Sequence, residues 1–313
     1  MGRVAAAAIL LVAAVVASAG CGGGGDTQNE GSSTTAQVSP GSAGAIVSRP
    51  GEDVALQPGT SDYQTGPVRV VFLVVDSKGR VVERPRARVW VARSLEDKPF
   101  TQATAALENV GLPGKSEAAL GGVTRLYVAH VRVPVEGTYV LVAEPVGGKP
   151  IQGALELEVK DDPAAPGIGE KAFPSHTPTI ASTGGDFAAL TTRKPPDVGL
   201  LRYSVADSLA AHAPFVVAFA TPAFCTSRTC GPVVDVVDHV RKRFKGTGVR
   251  FIHVEIYKDN LPGNGENRWV QEWNLPTEPW VFVVGRDERI KERFEGSVSA
   301  GELEAAVRRH LLG

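Results

Sequence analysis

The stretch PFVVAFATPAFCTSRTCGPVVDVVDHV, Pro214–Val240, decides how the chain is read. Phe215–Phe219 is a short run of apolar, partly β-branched residues, the pattern of a buried strand. A loop carrying Cys225 and Cys230 follows. Gly231-Pro232 then opens a segment in which Val233, Val236, Val237 and Val240 fall three and four residues apart, the spacing of an amphipathic helix. Strand, cysteine loop and helix form the layout of a thiol–disulfide site, because a helix N-terminus stabilises a thiolate.

The cysteine spacing constrains the local geometry. Five residues apart in an intact α-helix, two Cα atoms lie roughly 8–9 Å apart. A disulfide needs less than about 7 Å. Proline is tolerated only in a first helical turn, so Pro232 predicts a helix beginning near Gly231. Thr226–Thr229 then form a loop that a disulfide can close. Cys230 falls just before the helix N-terminus, where its thiolate is favoured, and Cys225 ends the strand-side limb. Either thiol is a candidate for the attacking one.

On these residues the segment resembles the thioredoxin superfamily, whose active-site cysteine follows the first central strand. Leu275–Val284, reading LPTEPWVFVV, is similar to the family's cis-proline strand. The resemblance implies a cis Glu278–Pro279 bond, and it places Pro279 and Glu278 in a substrate groove beside the cysteines. Arg286–Arg289 resembles the following hairpin turn. Gly296-Ser297 with a helix over 300–312 resembles the family's closing glycine and helix. The similarity spans about 165–313 and extends to thioredoxin-like lipoproteins of bacteria. It implies an α/β fold, a central mixed sheet flanked by helices, and thiol–disulfide exchange with Cys225 and Cys230 as the redox pair. Family position favours Cys225 as nucleophile.

The sequence departs from that family in one chemically important place. The family's buried acid, on the strand before the cysteines, falls here among Val216–Phe219, all apolar. His253, in the run Phe251–Ile256, is the candidate proton acceptor in its stead. Three other readings of the pair stay open. Thr221-Pro222, Cys225 and Cys230 are similar to a peroxiredoxin Q pattern, but Ala223 and Phe224 displace the threonine and no arginine adjoins Pro279. Copper delivery would use Cys-x3-Cys and soft ligands, whereas the spacing here is one residue longer and the chain has 1 Met. The last reading is a structural disulfide in a non-catalytic binding protein.

The compartment is read from the start of the chain. Arg3 and the apolar run Val4–Val16 form a signal peptide pattern, too short to span a bilayer. Ser18-Ala19-Gly20-Cys21 resembles a bacterial lipobox, which implies cleavage before Cys21 and lipidation of its thiol. The expected location is therefore the extracytoplasmic face of the cell membrane. The chain has 3 Cys; with Cys21 carrying lipid, Cys225 and Cys230 remain, and outside the reducing cytosol a disulfide between them is the default. Gly22–Gly25 and the polar tract to about Ser61 read as a flexible tether. The net charge of −1 gives no pull toward nucleic acid.

Between tether and cysteine domain the pattern is strands. Val68–Val75 is almost wholly apolar and ends in the turn signal Asp76–Gly79. Arg86–Ala92, Arg125–Val133, Val140–Ala143 and Leu155–Val159 follow, several of them alternating. Short strands at this spacing predict a small antiparallel β-sandwich, and the Gly137-Thr138-Tyr139 start of one strand resembles immunoglobulin-like domains. Ala103–Leu120 reads as a long loop or short helix. His130 and His176 read as ordinary strand and arm residues, and Trp269 and Trp273 as a buried pair on one helix.

The expected organisation is a signal peptide (1–21), tether (22–61), β-sandwich (62–160), extended arm (161–196) and thioredoxin-like domain (197–313). No cofactor and no metal ligand set is expected. The expected partners are thiols or disulfides of exported proteins, or a redox protein.

Overall fold

Alternating apolar residues build the first sheet. In the computed structural model, which describes residues 39–114, 123–225 and 227–312, it consists of β1 (Val54–Pro58), β2 (Tyr63–Gln64), β3 (Gly66–Asp76), β4 (Arg86–Ala92), β5 (Thr101–Asn109), β6 (Arg125–Val133), β7 (Gly137–Pro145) and β8 (Gly153–Lys160). Their order is β1-β3-β6-β5-β4-β7-β8-β2, antiparallel except for the β2–β8 edge pair. Val68, Val70, Phe72 and Val74 of β3 share one core with Val89 of β4, Tyr127 and Val131 of β6, Leu141 of β7 and Leu157 of β8. Leu56 of β1 comes close enough to β8 that a Cβ at Gly153 would lie 3.0 Å from its Cγ. The sheet thus curls on itself around a single apolar layer, a sandwich-like arrangement.

β3 is buried on its other face too. Val71 joins Val110, Leu126 and Val128 in a second cluster, with Leu73 and Val123 packed against it. A near-continuous apolar run is what a strand covered on both faces requires.

The second sheet has the order β10-β9-β11-β12, from β9 (Phe215–Phe219), β10 (Arg250–Val254), β11 (Trp280–Val284) and β12 (Ile290–Glu295). β9 and β10 are parallel, and β11 is antiparallel to both β9 and β12. Val216, Ala218, Val281 and Val283 pack against α3 (Cys230–Arg243) and α5 (Ala300–Leu311). Phe215, Phe219 and Phe282 face the other way, toward Trp273, α2 (Val205–Ala210) and Val270 of α4 (Arg268–Glu272). Ser299 and Glu302 form a capping box at the start of α5, which satisfies two otherwise orphaned N–H groups.

The expected fold class is corrected. Among the described residues there are 12 strands and 5 α-helices, and three of those helices, counting α1 (Ala43–Val47), have five or six residues. The protein is a sheet-rich, β-sandwich-like structure and not an α/β protein built on a helix-flanked thioredoxin core. The cause is local. His212 and Asn274 adopt positive φ values of 46° and 44° just after α2 and α4, and prolines at 214 and 276 follow, so neither helix can lengthen. Segments read as tether or loop form structure of their own. α1 and β1 lie within the expected tether 22–61, because Ala43 and Ile46 are buried against Ala92 and Val142 and β1 pairs with β3. β5 occupies the start of the expected loop 103–120. The signal peptide and Cys21 lie outside the described residues.

Within 161–196, the stretch around 169–172 lies along the second sheet, whereas 180–190 fold into turns. Gly169 N–H donates to Ile290 O at 2.8 Å, and Ile290 N–H to Glu170 O at 2.9 Å, along the open edge of β12. The two sheets are further joined by buried charge. Arg69 of β3 meets Glu302 of α5 at 2.7 Å and donates to Ser297 O at 2.7 Å. Glu295 of β12 accepts from Ser61 N–H at 2.7 Å and Asp62 N–H at 2.9 Å. Arg293 binds the Asp62 carboxylate and donates to Ala165 O at 2.7 Å. Gly296, with φ +67°, lies so near this seam that a Cβ would sit 2.8 Å from Gly59 O; only glycine fits.

Candidate functional site

The wall of the site is β9, whose end delivers the chain to Cys225. α3 begins at Cys230 itself rather than at Gly231, so that cysteine is the first helical residue. Pro232 sits in the first turn, where its missing N–H costs no helical hydrogen bond. Cys225 and Cys230 form a disulfide with Cα atoms 5.9 Å apart, within the range a bridge allows.

The two sulfurs differ in access. Cys230 is 0% exposed, while Cys225 is half-buried beside the exposed Phe224. Cys225 Sγ accepts from the Cys230 N–H at 3.2 Å and lies 3.2 Å from Ser227 Oγ, which in turn contacts Thr229 Oγ1 at 2.8 Å. An N–H at the head of a helix directed at sulfur favours negative charge there.

β11 supplies the opposite side. The Glu278–Pro279 peptide is cis, and Pro279 leads straight into β11. A carboxylate oxygen of Glu278 lies within 4.8 Å of both sulfurs, the three ligand atoms all falling within that span of one another. Burial first, then the charges of Glu278 and Glu266, push the Tyr257 hydroxyl pKa up.

His253 is placed elsewhere. It is buried on β10, and its Nε2 is 3.0 Å from Ala220 O. A carbonyl can only accept, so Nε2 carries the proton. Nδ1 faces Thr191 Oγ1 at 3.5 Å. His253 borders a cavity with Leu190 and Trp269, and it is Glu278 that adjoins the cysteines. His130 lies at the seam between the sheets, 3.8 Å from Glu302. His176 is exposed on the arm.

A cavity of about 440 Å³ adjoins the disulfide loop. Ser227, Thr229, Thr277 and Glu278 line one side, and Leu73 and Leu126 of the first sheet, with Val110 and Val123 of the connection between β5 and β6, line the other. The contribution of the first sheet to this groove was not read from the sequence. Its signal is present, since Val68–Val75 is apolar on both faces, but nothing in one strand says what its second face will meet.

No family model matches the chain, and comparison with curated proteins finds no match. Among solved structures it is similar to the Lin-41 filamin domain, at 13% identity and a TM-score of 0.22, covering 36% of this chain and 100% of that one. It is also similar to the CARDB domain of a Pyrococcus furiosus protein, at 13% identity and a TM-score of 0.18, covering 35% of this chain and 90% of that one.

Proposed function

We propose that the protein exchanges thiols and disulfides with exported proteins through Cys225 and Cys230. The observation that carries this reading is the asymmetry of the pair: Cys225 is half-buried in a loop whose Ser227 and Thr229 line a groove, and Cys230 is buried at the head of α3. In the disulfide state a partner thiolate attacks Cys225 Sγ, and Cys230 leaves as a thiolate at the helix N-terminus, where the dipole favours it. The partner's second thiolate then attacks its own sulfur in the mixed disulfide and releases Cys225. The partner gains a disulfide, the pair gains two electrons, and the reverse sequence reduces a partner. Pro279 and Glu278 border the peptide-binding side of the groove, and the apolar residues of the first sheet suit a partner whose cysteine is flanked by apolar side chains.

The reading is tested by equilibrating the full chain with glutathione or dithiothreitol buffers and counting free thiols. A potential above about −270 mV is expected, in the range of redox catalysts. A bridge that stays closed well below about −300 mV is a structural one, and the double Cys→Ala variant would then melt lower while keeping its partners. Closing so short a loop removes about 3 kcal/mol or less of unfolded-chain entropy, a small structural return.

Location belongs to the same proposal. The lipobox resemblance at Ser18–Cys21 and the glycine spacer after it support a lipid anchor on the extracytoplasmic face. No helix among the described residues is long and apolar enough to cross a membrane. Cys21→Ala is expected to move the protein from the membrane to the soluble fraction. Continued sedimentation of that variant with membranes would remove the anchor from the account.

A further inference from the structure

The carboxylate beside the disulfide is out of keeping with a site meant only to hold thiolates. A negative charge next to a thiolate disfavours it. In the reduced state Cys225, Cys230 and Glu278 would gather up to three negative charges whose ligand atoms lie within 4.8 Å of one another when the bridge is closed. A divalent cation relieves that repulsion. We propose that reduction converts this pair into a binding site for a thiophilic divalent cation, zinc in particular, with Cys225, Cys230 and Glu278 as its three protein ligands.

The geometry and the donor chemistry agree. Two thiolates bound to one zinc at about 2.3 Å lie roughly 3.8 Å apart in a tetrahedral site. Cα atoms 5.9 Å apart leave room for that separation once the covalent bond is broken. Two thiolates and one carboxylate are a borderline-soft set that suits zinc, whereas the carboxylate is a poor partner for monovalent copper. Three protein ligands leave a fourth position for water or a partner's thiol, the pattern of an open rather than a closed zinc site. The Cys230 N–H and the Ser227 hydroxyl, each 3.2 Å from Cys225 Sγ, hold that sulfur in place from outside the ligand set. Glu278 comes from the loop that leads into β11, 53 residues along the chain from Cys225 (278 − 225), so the site exists only in the folded protein.

The chemistry balances. A phosphine reductant takes the oxygen of a water and leaves two thiols. The cation then displaces one proton from each thiol and binds the carboxylate as it stands, so two protons are released per ion. A disulfide oxidant such as oxidised glutathione takes two electrons from the two thiolates, leaves as two thiols after gaining two protons, and re-forms the S–S bond; both sulfur ligands are then lost and the cation is ejected, which makes binding redox-gated.

This inference goes beyond exchange activity and does not rest on it, because a strong reductant opens the bridge whatever its potential. The full chain, purified in mild detergent, is reduced with a phosphine, desalted anaerobically and titrated with Zn²⁺ and with Cd²⁺, the latter followed by its thiolate charge-transfer absorption. One ion per reduced chain is expected, with two protons released and no binding to the oxidised chain. Cys225→Ser is expected to abolish the absorption, and Glu278→Gln to weaken Zn²⁺ binding by about tenfold or more. Circular dichroism of the oxidised variants checks their fold. Should Glu278→Gln not fold, Glu278→Asp, which keeps the charge but shortens the reach, is expected to weaken binding as well. Absence of binding by the reduced chain, equal binding by the oxidised chain, or affinity unmoved by both Glu278 variants would overturn the proposal.

Discussion

Cys225→Ser leaves the protein folded and abolishes exchange, while Cys230→Ser still lets a reduced Cys225 attack a partner disulfide and accumulates the mixed disulfide. The expectation follows from access. An attacking thiolate must reach sulfur along the S–S axis, and a sulfur with no exposed surface offers no such path. Cys230 is 0% exposed and shares its core with Val233, Val237 and Leu303. Cys225 stands at the loop mouth, and its sulfur receives the N–H of the first residue of α3. With Ser at 230, the buried thiolate that would carry reduction of the partner forward is gone, and the adduct at Cys225 can only revert through the partner's own second thiolate. With Ser at 225, only a buried thiol remains. Thiol trapping followed by non-reducing gel electrophoresis reads both variants. The opposite pattern, adducts with Cys225→Ser and none with Cys230→Ser, would assign the nucleophile to the helix residue.

Arg69→Ala is expected to destabilise the protein by about 3–5 kcal/mol, the usual cost of leaving one member of a buried ion pair without its partner. The side chains of Arg69 and Glu302 are 8% and 11% exposed. The guanidinium also donates to the carbonyls of Ser297 and Glu295 and lies over the Phe294 ring, 5.4 Å from its centroid. Removing it strands a carboxylate and two carbonyls at the seam between the sheets. The apolar double replacement Arg69→Met with Glu302→Leu should cost much less, since it removes both charges together.

The same pair predicts a pH dependence. Burial works to raise the Glu302 pKa, but the Arg69 charge and hydrogen bond, the Ser299 N–H and the nearby His130 outweigh it, and the net shift is downward. A folded-state pKa below the unfolded value, about 4.3 for Glu, gives stability that is fully present above that value and is lost as pH falls through the folded one. The stability gap between wild type and Arg69→Ala should therefore be constant near neutrality and close on acidification below about pH 4. Urea titrations at several pH values check both the size and the slope. A gap unchanged down to pH 3 would mean that another group holds the seam.

What the sequence determines by itself is local. The apolar run Phe215–Phe219 is β9 to the residue, and Arg86–Ala92 and Arg125–Val133 are β4 and β6. In each, alternation or continuous apolarity specifies a strand without help from its neighbours. Pro232 limits how far α3 can extend toward Cys225, because proline is confined to a first turn, and so Cys225 stays in the loop before the helix that Cys230 begins. The fold class was not legible in this way. A resemblance carried by a few motifs says nothing of how much of the chain is strand. The helices α2 and α4 stop after one turn or so, at His212 and Asn274, whose positive φ their residue types do not demand.

The site divides along the same line. The cysteine pair and the proline facing it are visible in sequence because their chemistry is carried by residue type. The approach of Glu278 to the sulfurs, the removal of His253 to another cavity, and the apolar wall that Leu73 and Leu126 lend to the groove are decided by tertiary structure alone. Each depends on which face of a strand meets which neighbour, and a strand's own alternation fixes that it has two faces but not what covers the second.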